Sequence, residues 1–163
     1  MRQFFSFLKE FKLDKNIIEE KGMKQVSKFK HNFFSLSAFD TKDAYETFSP
    51  FPNELKQFYE EIGFGLFHIN KGKVHRIFDP ASLIIINQRK DEFQYDKLLS
   101  ASLKEGQLVF FESQQYGYFS IGTDNSSDVN PIFFRGKKVA DSLYKFLLYF
   151  NTNRDYLKHC IND

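Results

Sequence analysis

The sequence predicts an α+β fold in which helices pack around one antiparallel β-sheet. Strand-like runs follow one another without regular alternation with helices, which argues against a doubly wound parallel sheet. Amphipathic helical segments flank these runs, and 42% of the 163 residues are hydrophobic, including 22 Phe. A chain of this length is typical of a single domain with an ample core. We expect one domain over residues 1–163, with a less well specified helical or irregular extension at 1–47 and a C-terminal turn or helix at 151–163.

The N-terminal extension carries only weak local signals. A short apolar stripe predicts a helix that docks on the domain; it consists of Phe4, Phe5, Leu8 and Phe11. Residues 12–30 are rich in Lys and show no clear periodicity. A brief helix is expected at 43–48, and the prolines of Ser49-Pro50-Phe51-Pro52 disfavour its continuation.

The strongest helix signal begins after Pro52. Its apolar residues recur at the spacing of one helical face; they are Leu55, Phe58, Tyr59 and Ile62. Asn53 is the predicted N-cap. Gly63 and Gly65 follow the last apolar residue, where a positive φ ends a helix without a Cβ penalty. We expect a helix over 53–62 that stops abruptly and leads into a strand.

A hairpin with strands at 66–70 and 73–78 is the next expected element. A two-residue Lys71-Gly72 loop would pair residue 69 with residue 74 and direct Phe67, Ile69, Val74 and Phe78 to the core. The same register places His68 opposite His75 on the outer face. Two histidines without a third ligand do not complete a zinc site, so a surface pair is the expected arrangement.

Further elements follow from turn and capping signals. Asp79 as N-cap and Pro80 at the first helical position predict a short helix to about residue 86. Residues 91–103 are expected to be helical or looped. Alternation predicts paired strands at 108–113 and 118–123, with Gly117 in their connection, and a short strand at 130–135. A covering helix is expected at 139–150 and a final turn or helix near 155–161.

Several of these segments together resemble the SUKH superfamily of Syd, Knr-type regulators and bacterial immunity proteins. The matching segments are Phe51-Pro52-Asn53-Glu54-Leu55, Ile62-Gly63-Phe64-Gly65, Arg76-Ile77-Phe78-Asp79-Pro80 and Phe110-Phe111-Glu112 with Tyr116-Gly117-Tyr118. Residues 48–150 form the core of this resemblance. It implies the same antiparallel sheet with surrounding helices. The local helix, capping and turn signals assign structural roles to Pro52, Leu55, Phe58, Ile62, Gly63, Gly65, Asp79, Pro80 and Gly117.

Motifs of catalysis are missing from the sequence. Gly63-x-Gly65 lacks the third glycine of a dinucleotide loop, and Asp124-x-Ser126-x-Asp128 lacks the glycine and final Glu of an EF-hand. The one cysteine, Cys160, has no partner for an internal disulfide, which favours a reducing cytoplasmic setting. No apolar stretch approaches the ~20 residues of a membrane span. We expect no enzyme activity, no cofactor, no metal and no membrane association.

A protein-binding function is the resulting hypothesis. The SUKH resemblance implies an immunity protein that neutralises a cognate bacterial toxin, often a nuclease, by direct binding. The formal charge of +2 is too balanced for direct nucleic-acid binding, but residues 40–61 carry a net charge of −4. Candidate contact residues are Asp43, Glu46, Tyr59, Glu60, Glu61, Phe64, Tyr116 and Tyr118. The alternatives are a Knr-like scaffold for an endogenous protein and a small-molecule or metal-responsive regulator.

Overall fold

A computed structural model describes residues 4–13, 29–69 and 71–162 of the chain. Among these residues, eight strands form one sheet in which they lie in sequence order. The strands are β1 Lys12–Leu13, β2 Asn32–Phe34, β3 Phe64–Phe67, β4 His75–Ile77, β5 Gln107–Ser113, β6 Gly117–Gly122, β7 Ile132–Phe134 and β8 Lys137–Ala140. β1 and β2 are parallel, and every other neighbouring pair is antiparallel. The predicted α+β class is confirmed.

Helices surround the sheet, and side-chain caps fix the starts of four of them. They are α1 Ala38–Thr47, α2 Asn53–Glu61, α3 Pro80–Asn87, α4 Lys97–Ser102, α5 Leu143–Thr152 and α6 Tyr156–Asn162, with 3-10 turns at Ser6–Phe11 and Asp91–Phe93. The caps are Ser37, Asp79, Asp96 and Ser142, each accepting the backbone N–H of the third residue of its helix. The start of α3 after Asp79 agrees with the sequence prediction.

Helix α1 is longer than the expected helix at 43–48. Ser37 and Asp40 form a reciprocal capping box, in which Asp40 Oδ2 accepts the Ser37 N–H at 2.7 Å. This box starts the helix five residues earlier than the apolar pattern indicated. Residues 14–28, which contain most of the loosely patterned segment, lie outside the described residues.

The amphipathic helix α2 occupies its predicted place, but its N-terminus is organised differently. Pro52, rather than Asn53, is the N-cap, and no side chain caps this end. The Asn53 N–H instead donates to Asn125 Oδ1 at 3.1 Å. The expected Asn53 cap is therefore wrong, because a distant loop supplies the acceptor.

Glu54, in the first turn of α2, is buried and joins three parts of the fold. Its carboxylate accepts the N–H groups of Asn130 (2.5 Å), Leu143 (3.1 Å) and Tyr144 (3.0 Å). Two of these donors belong to the first turn of α5, where backbone N–H groups lack helical acceptors and favour a negative charge. Burial nevertheless raises the pKa of Glu54. Glu54 thus fixes α2 against α5.

Gly63 and Gly65, which follow α2, are under both conformational and steric constraints. Gly63 has φ of 118° and Gly65 has φ of 156°. A Cβ on Gly63 would lie 1.8 Å from the Phe34 carbonyl oxygen, and one on Gly65 would lie 2.0 Å from that of Asn32. The close approach of β2 therefore excludes side chains at both positions.

An aromatic core lies between the sheet and α5. Phe146 packs on Phe111 and Phe119 with ring centroids 5.5 Å apart in each case, and Phe150 packs on Phe67 at 5.3 Å. The predicted covering helix is present, but it begins at Leu143. The start expected near Val139 is wrong because that residue belongs to β8.

Candidate functional site

The predicted acidic surface divides between two helices. Asp43 and Glu46 are exposed on α1, four and seven residues after Phe39, so the three side chains share one helical face. Phe39 is 89% exposed. The opposite side of α1 is buried through Thr41 and Ala44. We call Phe39, Asp43 and Glu46 the acidic face of α1.

Glu60 and Glu61 point to different environments. Glu60 is exposed and lines a groove between α1 and α2. Glu61 is half-buried, and its carboxylate accepts the N–H of Phe4 at 2.9 Å and that of Phe5 at 2.7 Å. Glu61 therefore holds the N-terminal segment in place, and its half-buried side chain stays accessible only in part to a partner.

The groove between α1 and α2 has a volume of about 630 Å³ and a mixed character. Its walls include Leu36, Ala38 and Tyr45, and Lys42, Lys56 and Glu60 bring both signs of charge to it. The Lys56 ammonium lies 5.3 Å from the centre of the Tyr45 ring. Burial raises the pKa of Tyr45 to about 12, so its hydroxyl stays protonated at neutral pH. The groove is an apolar depression with charged walls.

Two of the four aromatic residues predicted as anchors are buried. Tyr59 is 1% exposed and donates to the Phe78 carbonyl at 2.7 Å, because it belongs to the apolar stripe of α2. Tyr118 is 7% exposed and donates to Asp96 Oδ2 at 2.8 Å. These contacts correct the anchor assignments of Tyr59 and Tyr118, whose side chains are part of the packed structure.

Phe64 and Tyr116, the other two predicted anchors, are half-buried. Phe64 contacts Phe34 with ring centroids 5.5 Å apart, and Phe34 is itself exposed. Tyr116 lies in the β5–β6 turn, where its N–H donates to Ser113 Oγ at 3.1 Å. Both rings remain accessible in part to a partner.

Phe64 belongs to an open region that spans the middle strands. Two adjoining depressions of about 220 and 320 Å³ lie here, and both are lined by Leu66 and Arg76. Arg76 pairs with Glu112 at 2.8 Å across β4 and β5 and lies 4.8 Å from the Phe78 ring centre. We call this region, formed by Phe34, Phe64, Leu66, Val74, Arg76 and Glu112, the open sheet face.

The hairpin that carries His68 and His75 differs from the expected one. Phe67, rather than His68, is the partner of His75, because β3 ends at Phe67 and β4 begins only at His75. The one-residue change in register turns His75 to the inner face. His68 is 4% exposed and His75 is 5% exposed. The predicted surface pair is therefore wrong.

The hydrogen bonds of the buried histidines fix their neutral tautomers. His31 Nδ1 accepts the His68 N–H at 3.0 Å, so the His31 proton is on Nε2, which donates to Asn151 Oδ1 at 2.9 Å. Ser113 Oγ accepts two backbone N–H groups and lies 3.0 Å from His75 Nδ1, to which it gives its only proton. The His75 proton is therefore on Nε2.

Burial opposes protonation of these rings. It lowers the pKa of His31 to about 3 and that of His75 to about 4. It also lowers the pKa of His68, whose Nε2 lies 2.6 Å from the Phe150 carbonyl oxygen. The three histidines are neutral polar groups of the core at neutral pH.

The described residues contain neither a cluster of metal ligands nor a helix that could span a membrane. Within 4–13, 29–69 and 71–162, no three His, Cys, Asp or Glu side chains come together as metal ligands. No helix in the same ranges has the length and apolar character needed to cross a bilayer.

Sequence reasoning missed two exposed aromatic residues and one buried carboxylate. Phe39 could have been found from its i, i+4, i+7 spacing with Asp43 and Glu46, once Ser37 was recognised as a cap. The exposed position of Phe34 on the sheet can be recognised only once the pairing of β2 with β3 is known. Glu54 gave no local signal, because its partners are 76 to 90 residues away.

Comparison with known proteins identifies a related immunity protein. The chain is 30% identical over 114 residues to the immunity protein YxxD of Bacillus subtilis strain 168, a match that covers 69% of this chain and 77% of the relative. No protein-family profile matches the sequence. No solved structure matches it either.

Proposed function

We propose that this chain, which belongs to the family of the Bacillus subtilis immunity protein YxxD, protects bacterial cells by binding and neutralising a cognate protein toxin. An immunity protein of this kind acts by occupying a surface of the toxin and needs no catalytic group. The motif resemblance to the SUKH superfamily supports the same function. A Knr-like scaffold role and a metal-responsive role have no comparable support from the described contacts.

The observation that carries this proposal is the acidic face of α1. Phe39 places an exposed ring on a helix whose N-terminus is fixed by a capping box and whose opposite side is buried. Large aromatic side chains on preorganised surfaces are frequent anchors of protein interfaces. Asp43 and Glu46 supply negative charge on the same face. This combination fits a partner with an apolar pocket bordered by basic residues.

The open sheet face extends the proposed contact region. The chain leads directly from Phe34 on this face through Leu36 in the groove to α1. Phe34, Phe64 and Leu66 offer apolar area, and the Arg76–Glu112 pair offers polar groups within it. A single partner that covers both regions would bury more surface than either region offers alone, and specific interfaces typically bury about 800 Å² per protein.

Charge complementarity indicates the class of toxin. A nuclease needs a basic surface to hold the phosphate backbone of its substrate. Asp43, Glu46 and Glu60 would attract such a surface and raise the association rate. We therefore propose a nuclease, neutralised at or beside its nucleic-acid-binding surface, as the cognate toxin.

Co-expression tests the proposed function. The chain is expressed in bacteria together with the toxin domain encoded beside its gene, and growth and complex formation are measured. We expect restored growth and a stable complex on size-exclusion chromatography. A toxin that kills equally with and without the chain, and that forms no complex with it, would refute the function.

Substitutions on α1 test the proposed contact. Phe39→Ala should weaken toxin binding by about 2 kcal/mol or more, the size typical of an interface hot spot. Tyr95→Ala is the matched control, because Tyr95 is an equally solvent-accessible ring at 83% exposure on another segment. Equal affinities of the two variants would exclude Phe39 as the anchor while leaving the immunity function intact.

A further inference from the structure

A basic cleft lies at the end of the β3–β4 hairpin, beside the connection between α5 and α6. It has a volume of about 210 Å³. Lys71 and Lys73 border it from the hairpin, and Arg154 borders it from the helix connection. Asp155 is the one carboxylate among its lining residues. None of the proposed toxin contacts lines this cleft.

The three cations of the cleft are not neutralised by other described side chains. None of them forms an ion pair with a carboxylate of residues 4–13, 29–69 or 71–162, in contrast to Arg76 and Lys138. Burial lowers the pKa of His68, and the charges of Lys30, Arg154 and Lys71 lower it further. Two of these cations, Arg154 and Lys71, line the cleft together with His68.

Neutral hydrogen-bonding groups complete the inner wall. His75 is 95% buried, given its 5% exposure, yet it lines the cleft. Its Nδ1 is occupied by Ser113, and its Nε2–H has no acceptor among the described residues. The exposed Gln115 contributes an amide from the β5–β6 turn. A buried donor that opens into a cationic cleft favours an anionic oxygen ligand.

We propose that this cleft binds the phosphate group of a small ligand, either inorganic phosphate or a phosphomonoester. Three cations and one carboxylate leave an excess of two positive charges, which matches the charge of about −1.5 to −2 on a phosphomonoester at pH 7. A bound molecule with one carboxylate group, of charge −1, would leave one of these two positive charges without compensation. The volume of 210 Å³ is below the range of about 300–1,000 Å³ typical of drug-sized ligands, so a phosphate group fits better than a whole nucleotide.

Calorimetric titration at constant ionic strength tests this assignment. Inorganic phosphate and glycerol phosphate are titrated separately into the full chain. We expect saturable binding of at least one of them, and their relative affinities identify the source of the phosphate group. Absence of saturable binding of either ligand would overturn the proposal.

A pair of double variants with equal charge change separates the cleft from general attraction. Lys73→Gln with Arg154→Gln should weaken binding by about tenfold or more, because two charge-assisted contacts are lost. Lys90→Gln with Lys97→Gln removes two exposed charges elsewhere and should preserve the affinity. Equal weakening in both variants would refute a specific site.

Nitrogen NMR of the unmodified chain provides a readout that needs no variant. Long-range proton–nitrogen correlation reports each imidazole nitrogen separately. Phosphate should shift His75 Nε2 and leave His31, which does not line the cleft, unchanged. No shift at His75 Nε2, or the same shift at both rings, would contradict the predicted contact.

Discussion

The buried histidines should make folding stability fall between pH 7 and pH 5. An unfolded histidine has a pKa near 6.5, whereas burial lowers the folded pKa of His31 to about 3 and that of His75 to about 4. Within this window the unfolded chain binds more protons than the folded chain. Stability is therefore fully present above pH 6.5 and is lost as the pH falls toward the folded pKa values.

The expected loss follows from these pKa values. Each of His31 and His75 should contribute about 1.8 kcal/mol of destabilisation between pH 7 and pH 5, on the order of 4 kcal/mol for the pair. His68 acts in the same direction, with Lys30, Lys71 and Arg154 opposing its protonation. Glu54, with its raised pKa, gains stability as the pH falls, so a comparison of variants is needed.

Urea unfolding at pH 7 and pH 5 measures this dependence. His75→Gln keeps an acceptor for Ser113 but cannot be protonated. It should lose about 1.8 kcal/mol less than the unmodified chain between the two pH values. His159→Gln, at an exposed position, should retain the full loss. An unchanged loss in His75→Gln would refute the assignment of a buried neutral His75.

Three substitutions test other contacts of the fold. Glu54→Ala should lower the free energy of unfolding by about 2–4 kcal/mol in a urea titration, because it leaves the buried N–H groups of Asn130 and Leu143 without an acceptor. The control Glu46→Ala, at an exposed position, should change the free energy of unfolding by less than about 0.5 kcal/mol in the same titration. Gly63→Ala should lower the free energy of unfolding by more than about 2 kcal/mol, because the added Cβ overlaps the Phe34 backbone. Gly72 also has a positive φ, of 96°, but no atom lies within 4 Å of an added Cβ. Gly72→Ala should therefore lower the free energy of unfolding by about 1 kcal/mol, and thermal unfolding measures both variants. Glu61→Lys should abolish hydrogen-exchange protection at the amides of Phe4 and Phe5, and Glu60→Lys should preserve it. Equal effects within any of these pairs would contradict the corresponding contact.

Local sequence signals predicted the helices and hairpins that depend mainly on residues close together in the chain. The apolar stripe of α2 and the Asp79-Pro80 start of α3 are examples, because helix faces and caps depend on neighbours in sequence. The hairpin at β5 and β6 was also predicted near its observed bounds. The α+β class followed from the order of these elements.

Features determined by long-range packing were not predictable from the same signals. β2 is a short strand held between β1 and β3, and β8 is a short strand beside β7, so neither is apparent without its partners. The predicted pairing of His68 with His75 was wrong because a longer connection between β3 and β4 replaces the expected two-residue loop. Glu61 resembled a surface residue, but the N-terminal amides of Phe4 and Phe5 donate to its carboxylate. The burial of Tyr59 was indicated by the apolar stripe of α2, whereas its hydrogen bond to the Phe78 carbonyl was not.

A stoichiometric titration of toxin activity tests the central claim most directly. A fixed amount of the cognate toxin is mixed with increasing amounts of the chain, and the remaining toxin activity is measured. Protection by binding alone predicts a linear loss of activity that ends at a fixed molar ratio and returns when the complex is separated. Lasting inactivation by far less than one chain per toxin would show turnover and contradict the account.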